Sequence, residues 1–349
     1  MDFGVNFFPD VGPDQKSGQQ YFRECLSLVE LADAYGLEHV RIVEHYFKPY
    51  GGYSPNPIVF LAAAAQRSRD LKLITGAVLP VFNNPLKLAG EIAMLDCICN
   101  GRLEVGFARA FLPHEFTAFG VALDESRERF EEGMAAVEIL LTRERASFSG
   151  RFHRFENITS LPRPVQQPRP PFWIAAFSTE ESFRKAGENG HFIMAIPLSG
   201  ASMAPLIATY REAWRKSGRP GQGRVMLAFH MYCAPTDGEA VARAEPLVNA
   251  YLRSLYEAAA DWGHLTSAAY PNYDKLIENL RRSDFKSQVE QNAMLVGSPD
   301  TIVRTLRAFS AQVGGFDVAS LQVNFHVMSE ADAARSLRLF AQEVLPSFR

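Results

Sequence analysis

The chain has 349 residues, 47% of them hydrophobic and 21% charged, with a formal net charge of −3. This is the composition of a chain with a substantial core and no expected disorder. No Lys/Arg stripe could neutralise a row of phosphates, which argues against nucleic acid as a partner, and the longest apolar runs, such as residues 58–65, fall far short of the roughly 20 residues of a membrane span.

The elements read in chain order as eight repeats of one pattern: a short β-branched or aromatic run, then a longer stretch with helical spacing of apolar residues. A strand over 3–9 precedes a helix over 20–36, where Phe22, Leu26, Val29, Leu31 and Ala32 form one stripe and Gly36 closes the end. A strand over 39–45 precedes a helix over 55–68. A strand over 71–79 precedes a helix over 84–101, with Asn84 as cap and Pro85 at its first position.

The fourth strand, 102–110, runs through a loop into a helix over 124–143. The polar stretch 146–164 reads as a small inserted hairpin. Strands over 171–177 and 191–197 each lead to a helix, and the strand over 224–234 leads to a long helical region from near Asp237. That region runs into a Tyr- and Asn-bearing stretch over 264–290 that is expected to be irregular. A helix over 299–312, capped by Ser298 and Pro299, precedes the last pair, a strand over 320–327 and a helix over 329–348.

Eight such pairs predict an α/β fold, a (β/α)8 TIM barrel with insertions in the loops at its C-terminal face, forming one domain over 1–349. A doubly wound sheet fits less well, because no strand opens a phosphate loop of the dinucleotide type. The glycine-rich "GRPGQGR" (218–224) lies between a helix and a strand, the reverse of the order such a loop needs.

In a parallel barrel the active site forms at the carboxyl ends of the strands, so position along a strand already carries functional information. His45 ends the second strand and Arg109 the fourth, and Ser178 follows the fifth. His45 also reads as an ordinary hydrogen-bonded residue of the rim. Ser178 with Glu181 reads as a capping box, and the same helix start beside Arg109 reads as a phosphate site. His39 and His45 are separated by about 20 Å of strand and cannot share a metal.

The first strand carries no His-x-His pair, and there is no G-x-S-x-G elbow. The acids Glu131 and Glu132 read as a solvated helix face. Cysteines 25, 97, 99 and 233 read as small core residues with no zinc spacing, so no metal is expected. Residues 1–10 lack the features of a signal peptide, and a cytoplasmic location is expected.

The segments "VEHYF", "TGAVLP", "NPLKLAGEIAMLDCICNGRLEVGFARA" and "FGVALDESRERFEEG" resemble the flavin-dependent luciferase-like monooxygenases, the family of the bacterial luciferase alpha subunit. The resemblance runs from residue 1 to the terminal "SLRLFAQEVLPSF" and is strongest over 38–135. It implies an FMNH2-dependent, two-component monooxygenase, with reduced FMN supplied by a separate NAD(P)H:flavin reductase and molecular oxygen as co-substrate.

On that resemblance His45 promotes the reaction with oxygen and stabilises a flavin C4a-hydroperoxide, while Glu44 orients groups beside the cofactor. Gly76 and Ala77 match a step that is often a cis peptide under the flavin, and Arg109, Ser178 and Thr179 match the phosphate ligands. Two residues depart from luciferase: Ala110 stands where it has glycine and Phe177 where it has an acid, so light emission is not expected. The loop 111–121 is similar to that of members tied to natural-product assembly lines, with His114 and Phe116 at the substrate entrance.

Phe8, Phe47, Tyr53, Phe82, Phe111, His114 and Phe177 are the candidate pocket residues, and they suit a largely hydrophobic substrate. The resemblance also implies a homodimer. The alternatives are a deazaflavin (F420)-dependent oxidoreductase that transfers hydride, and a non-catalytic flavin-binding subunit like the luciferase beta chain.

Overall fold

Eight parallel strands close into a cylinder. The computed structural model describes the backbone of residues 1–349 and every side chain except that of Leu276. β1 (Asp2–Phe7) leads to α1 (Gly18–Ala34), β2 (His39–Ile42) to α2 (Pro57–Ala65), and β3 (Lys72–Thr75) to α3 (Pro85–Ile98). β4 (Leu103–Phe107) is followed by α4 (Pro113–Phe119), α5 (Ser126–Thr142) and the hairpin of β5 (Ala146–Ser149) with β6 (Arg154–Ile158).

β7 (Phe172–Ala175) leads to α6 (Glu180–Asn189), β8 (Phe192–Ala195) to α7 (Gly200–Lys216), and β9 (Val225–Cys233) to α8 (Asp237–Ala259). Then come α9 (Tyr273–Arg282), α10 (Phe285–Glu290), β10 (Leu295–Gly297), α11 (Pro299–Gln312), β11 (Val318–Gln322) and α12 (Glu330–Leu339). The barrel order is β1-β2-β3-β4-β7-β8-β9-β11, and β11 pairs back with β1, so no edge is left open. This is the expected (β/α)8 barrel.

Side chains alternate across its wall. Val5, Phe7, Val40, Ile42, Leu73 and Val105 face outward into the core beneath the helices, whereas Ile74, Trp173, Met194, Met226 and Val318 pack on one another inside. Each such large side chain contributes roughly 1.5–3 kcal/mol by leaving water. Local chemistry sets where the helices begin. Asn56 and Asn84 accept from the first-turn N–H groups of α2 and α3, each followed by proline, and Gly36 takes the left-handed position after α1 at φ +70°.

Three details differ from the sequence reading. Residues 264–290 hold two helices, and α10 opens on a reciprocal cap between Asp284 and Ser287 that is local enough to form in a polar stretch. β10 extends the outer half of β9, Leu295 lying opposite Met231; three residues give too little periodicity to read. Ser298 stands at the start of α11, yet its side chain bonds Thr301 while its own N–H donates to Asp237 at 2.7 Å. Among the described residues no helix is long and apolar enough to cross a membrane.

Candidate active site

After β2 the chain doubles back over the strand end. His45 N–H donates to Ser54 O (3.1 Å), Ser54 Oγ to Val43 O (2.6 Å), and Gly51 N–H to Pro9 O (2.6 Å). Gly51 sits at φ +80°, and a Cβ there would lie 2.4 Å from His45 Cβ, so only glycine lets this loop close against the imidazole.

His45 is buried, and its Nδ1 lies 3.0 Å from Glu115 Oε1. The same oxygen accepts Tyr46 N–H at 2.9 Å. An ionised carboxylate only accepts, so this contact puts the hydrogen on Nδ1 and leaves Nε2 as the working nitrogen. Glu115 stands on α4, fully buried, with Oε2 unpartnered. The sequence points to its neighbours His114 and Phe116, whereas Glu115 carries only the weak signal of a lone acid in an apolar segment.

Glu44 turns the other way. It accepts from Tyr46 Oη (2.5 Å), Asn83 Nδ2 (2.9 Å) and Leu79 N–H (3.2 Å), tying the end of β2 to the loop after β3. Burial pushes its carboxyl up to about 7, outweighing the lowering effect of these donors.

Rings of Phe8, Tyr50 and Phe111 surround His45 at centroid distances of 5.4, 5.7 and 5.9 Å. Tyr251, from α8, closes the group by packing on Phe8 and Tyr50. Phe82 stacks on Phe119 (4.6 Å), and exposed Phe47 contacts Tyr46 and Phe119, forming a second aromatic group at the outer lip. His114 bonds the Tyr46 carbonyl (3.1 Å), and burial lowers its pKa. Tyr53 goes elsewhere: its hydroxyl donates to Lys16 O (2.8 Å) and its ring packs on Tyr21 of α1, apart from the rings around His45. Phe177 lies half-buried on the rim after β7.

The Gly76–Ala77 peptide, just past β3, is cis. Arg41 lies directly beneath it: Nη2 donates to Gly76 O (2.8 Å), and a Cβ on Gly76 would come within 2.0 Å of Arg41 Nε. The glycine therefore makes room for a guanidinium, a reason the sequence did not offer.

Arg109 stacks over Tyr270 at 4.0 Å and donates to Ala269 O (2.7 Å). Arg109 also lines a cavity of about 620 Å³ together with the cations Arg127, Lys185 and Arg219, the acids Glu131, Glu138 and Glu188, and Ser182 of the first turn of α6. His45 is not among the residues lining it. The Ser178–Glu181 capping box does not form. α6 begins one residue later, with Thr179 at its cap position and no side chain bonded there; Ser182 N–H donates to Thr179 O (3.0 Å), and Ser178 and Thr179 stay exposed at the helix start. His45, Arg109 and this helix start nonetheless all follow the carboxyl ends of barrel strands and share one rim.

Residues 1–316 match the family model described as luciferase-like monooxygenase. The chain belongs to this family. Like its named relatives, the chain is an enzyme. The chain is 41% identical to the monooxygenase RslO1 from Streptomyces bottropensis, with a TM-score of 0.90 and full coverage of both chains. It is 28% identical to the oxygenase component of the flavin-dependent trigonelline monooxygenase of Acinetobacter baylyi, over 100% of this chain and 96% of that one. The oxygenating constituent of 3,6-diketocamphane monooxygenase from Pseudomonas putida, a type II Baeyer-Villiger enzyme solved with FMN, superposes with a TM-score of 0.84 at 24% identity, covering 100% and 99% of the two chains. That last likeness is one of fold.

Proposed function

We propose that this luciferase-like monooxygenase binds reduced FMN, supplied by a separate flavin reductase, and transfers one oxygen atom from O2 to a largely hydrophobic organic substrate. The observation that carries the reading is the His45–Glu115 pair at the barrel rim, walled by aromatic rings. The relatives supply the cofactor class: one is the oxygenase component of a flavin-dependent system, and another was solved with FMN.

The residues present fit that cofactor. Arg109, which among the described residues pairs with no carboxylate, and the start of α6 carrying Ser178 and Thr179 suit a phosphate dianion, whereas Arg127 and Lys185 on the same cavity are already paired with Glu181 and Glu131. Gly76 and Ala77 offer a flat backbone surface for the ring system, with Glu44 fixing the strand ends beside it. Bound reduced FMN would supply the electrons that activate oxygen. His45 Nε2 then holds or moves a proton at the reacting oxygen, with Glu115 keeping the ring in one tautomer. Phe8, Tyr50, Phe111 and Tyr251 keep water out.

We take residues 1–349 as one catalytic domain that works as a homodimer. Val59 on α2 and Leu86, Met94 and Ile98 on the adjacent α3 are apolar and exposed, which suits a subunit contact. The discriminating experiment titrates the anaerobic protein with reduced FMN and with reduced deazaflavin. Binding of FMN, with oxygen uptake after mixing, is expected. Tight deazaflavin binding without either would favour hydride transfer.

A further inference from the structure

Four neighbouring strands present polar side chains to the barrel interior at one level. His230 on β9 stands opposite Gln322 on β11, Gln322 opposite Asn6 on β1, and Asn6 opposite Arg41 on β2. The next layer is filled by Ile74, Trp173, Met194, Met226 and Val318 and by polar side chains that are already partnered, His39 with Ser320 and Glu104 with Trp173. A half-ring of polar groups in such a wall needs partners, and the ones present do not suffice.

Arg41 is 8% exposed. Its Nη1 donates to Asn6 Oδ1 (3.2 Å) and its Nη2 to Gly76 O (2.8 Å), Nε has no partner, and among the described residues no carboxylate pairs with it. An unpaired cation in a low-dielectric interior is costly, and a guanidinium with five N–H groups and two bonds still has donors to give. His230 repeats the pattern. Its buried Nε2 is unpartnered, and burial holds the ring neutral by lowering its pKa to about 4.

The half-ring is continuous with the active site. The His230 ring meets Tyr251 edge-on at 4.4 Å, Tyr251 meets Phe8 at 5.7 Å, and Phe8 meets His45 at 5.4 Å. An unbroken chain of ring contacts thus links the polar half-ring to the imidazole of His45.

We propose that Arg41, with Asn6 and His230, is the receptor for a delocalised oxyanion carried by an otherwise flat, apolar ring system. That oxyanion is either an enolate, phenolate or carboxylate of the substrate, or the enolate-like oxygen of the reduced flavin's pyrimidine ring. The inference rests on the flavin reading above and extends it to the charge of what is bound. The planar fork of Arg41 matches the planar anion, neutral His230 adds a hydrogen bond without a second charge, and the rings of Phe8 and Tyr251 take the apolar body.

The test has two arms, one for each source of the anion. In the first, dissociation constants of reduced and oxidised FMN are compared; the phosphate is common to both, so the Arg109 side cancels. In the second, with FMN saturating, 2-naphthoate is compared with its neutral isostere 2-naphthamide by calorimetry. Wild type should prefer the anionic member of at least one pair by roughly tenfold or more. Arg41→Met should abolish that preference, and Arg41→Lys should retain part of it.

The arm that responds names the source. FMN that binds equally in both states, with no preference for naphthoate, overturns the proposal, as does a preference that survives Arg41→Met. Should Arg41→Met fail to fold, the wild-type ratios and Arg41→Lys decide. If FMN binds in neither state, the flavin reading fails, and the naphthoate pair measured on the flavin-free protein then decides the oxyanion proposal.

Discussion

His45 Nδ1 and Glu115 Oε1 lie 3.0 Å apart, joined across 70 residues of sequence at the mouth of the barrel. The carboxylate also accepts the Tyr46 N–H, so it fixes both the tautomer of the imidazole and the loop that carries it. Glu115→Gln keeps the size but removes the charge that holds the proton on Nδ1. Product formed per reduced FMN should fall roughly tenfold or more, with FMN affinity unchanged within about threefold. Equal loss of FMN affinity would make Glu115 a fold residue only.

Gly51→Ala places a methyl 2.4 Å from His45 Cβ at a position with φ +80°. Overpacking and left-handed strain together should cost roughly 2–4 kcal/mol. Chemical denaturation measures the loss, and the surviving folded protein should be less active than wild type because the imidazole is displaced. Wild-type stability would show that the 46–54 loop is slack.

Stability should depend on pH through buried histidines. His39, bonded to Ser320 Oγ at 2.9 Å, is lowered by burial to about 3, and His191 and His230 to about 4. Their folded pKa values lie below the unfolded value of 6.5, so the unfolded chain binds more protons, and stability falls as pH drops below about 6.5. Each group contributes up to about 1.4 kcal/mol per pH unit. His39→Gln should flatten this acid limb in melting curves.

Glu44 works in the opposite direction. Its folded pKa of about 7 exceeds the unfolded 4.5, so its contribution is complete below pH 4.5 and is lost as pH rises towards 7. Glu44→Gln should therefore gain stability relative to wild type between pH 5 and pH 7.5. A constant difference across that range would mean that Glu44 does not titrate there.

The subunit contact is tested at Met94 and Ile98. An aspartate at either position would have to be buried unpaired in an α2–α3 interface, so Met94→Asp should shift the protein to monomers in light scattering. A wild-type monomer, or an unaffected dimer, contradicts the proposed surface.

The barrel was legible because strand and helix periodicities alternate along the chain apart from the inserted hairpin and the stretch after α8, and because Asn84-Pro85 and Gly36 mark helix ends with local chemistry. The rim positions of His45 and Arg109 followed from that count. Glu115, Tyr251 and Arg41 were not legible, since each acquires its role only when distant segments meet: α4 on the loop after β2, α8 over Phe8, and β2 under Gly76. Tyr53 misled because an aromatic near a strand end can serve a neighbouring helix equally well. Ser178 misled because two adjacent hydroxyl residues, Ser178 and Thr179, both offer a cap.

The most direct test of the account follows oxygen uptake and the return of oxidised-flavin absorbance together after anaerobic protein with reduced FMN meets oxygen, in wild type and His45→Ala. In wild type, uptake should precede the return of colour. His45→Ala should lose this lag, or take up oxygen roughly tenfold more slowly or worse, while binding FMN with similar affinity. An unchanged lag and rate in His45→Ala would contradict the account.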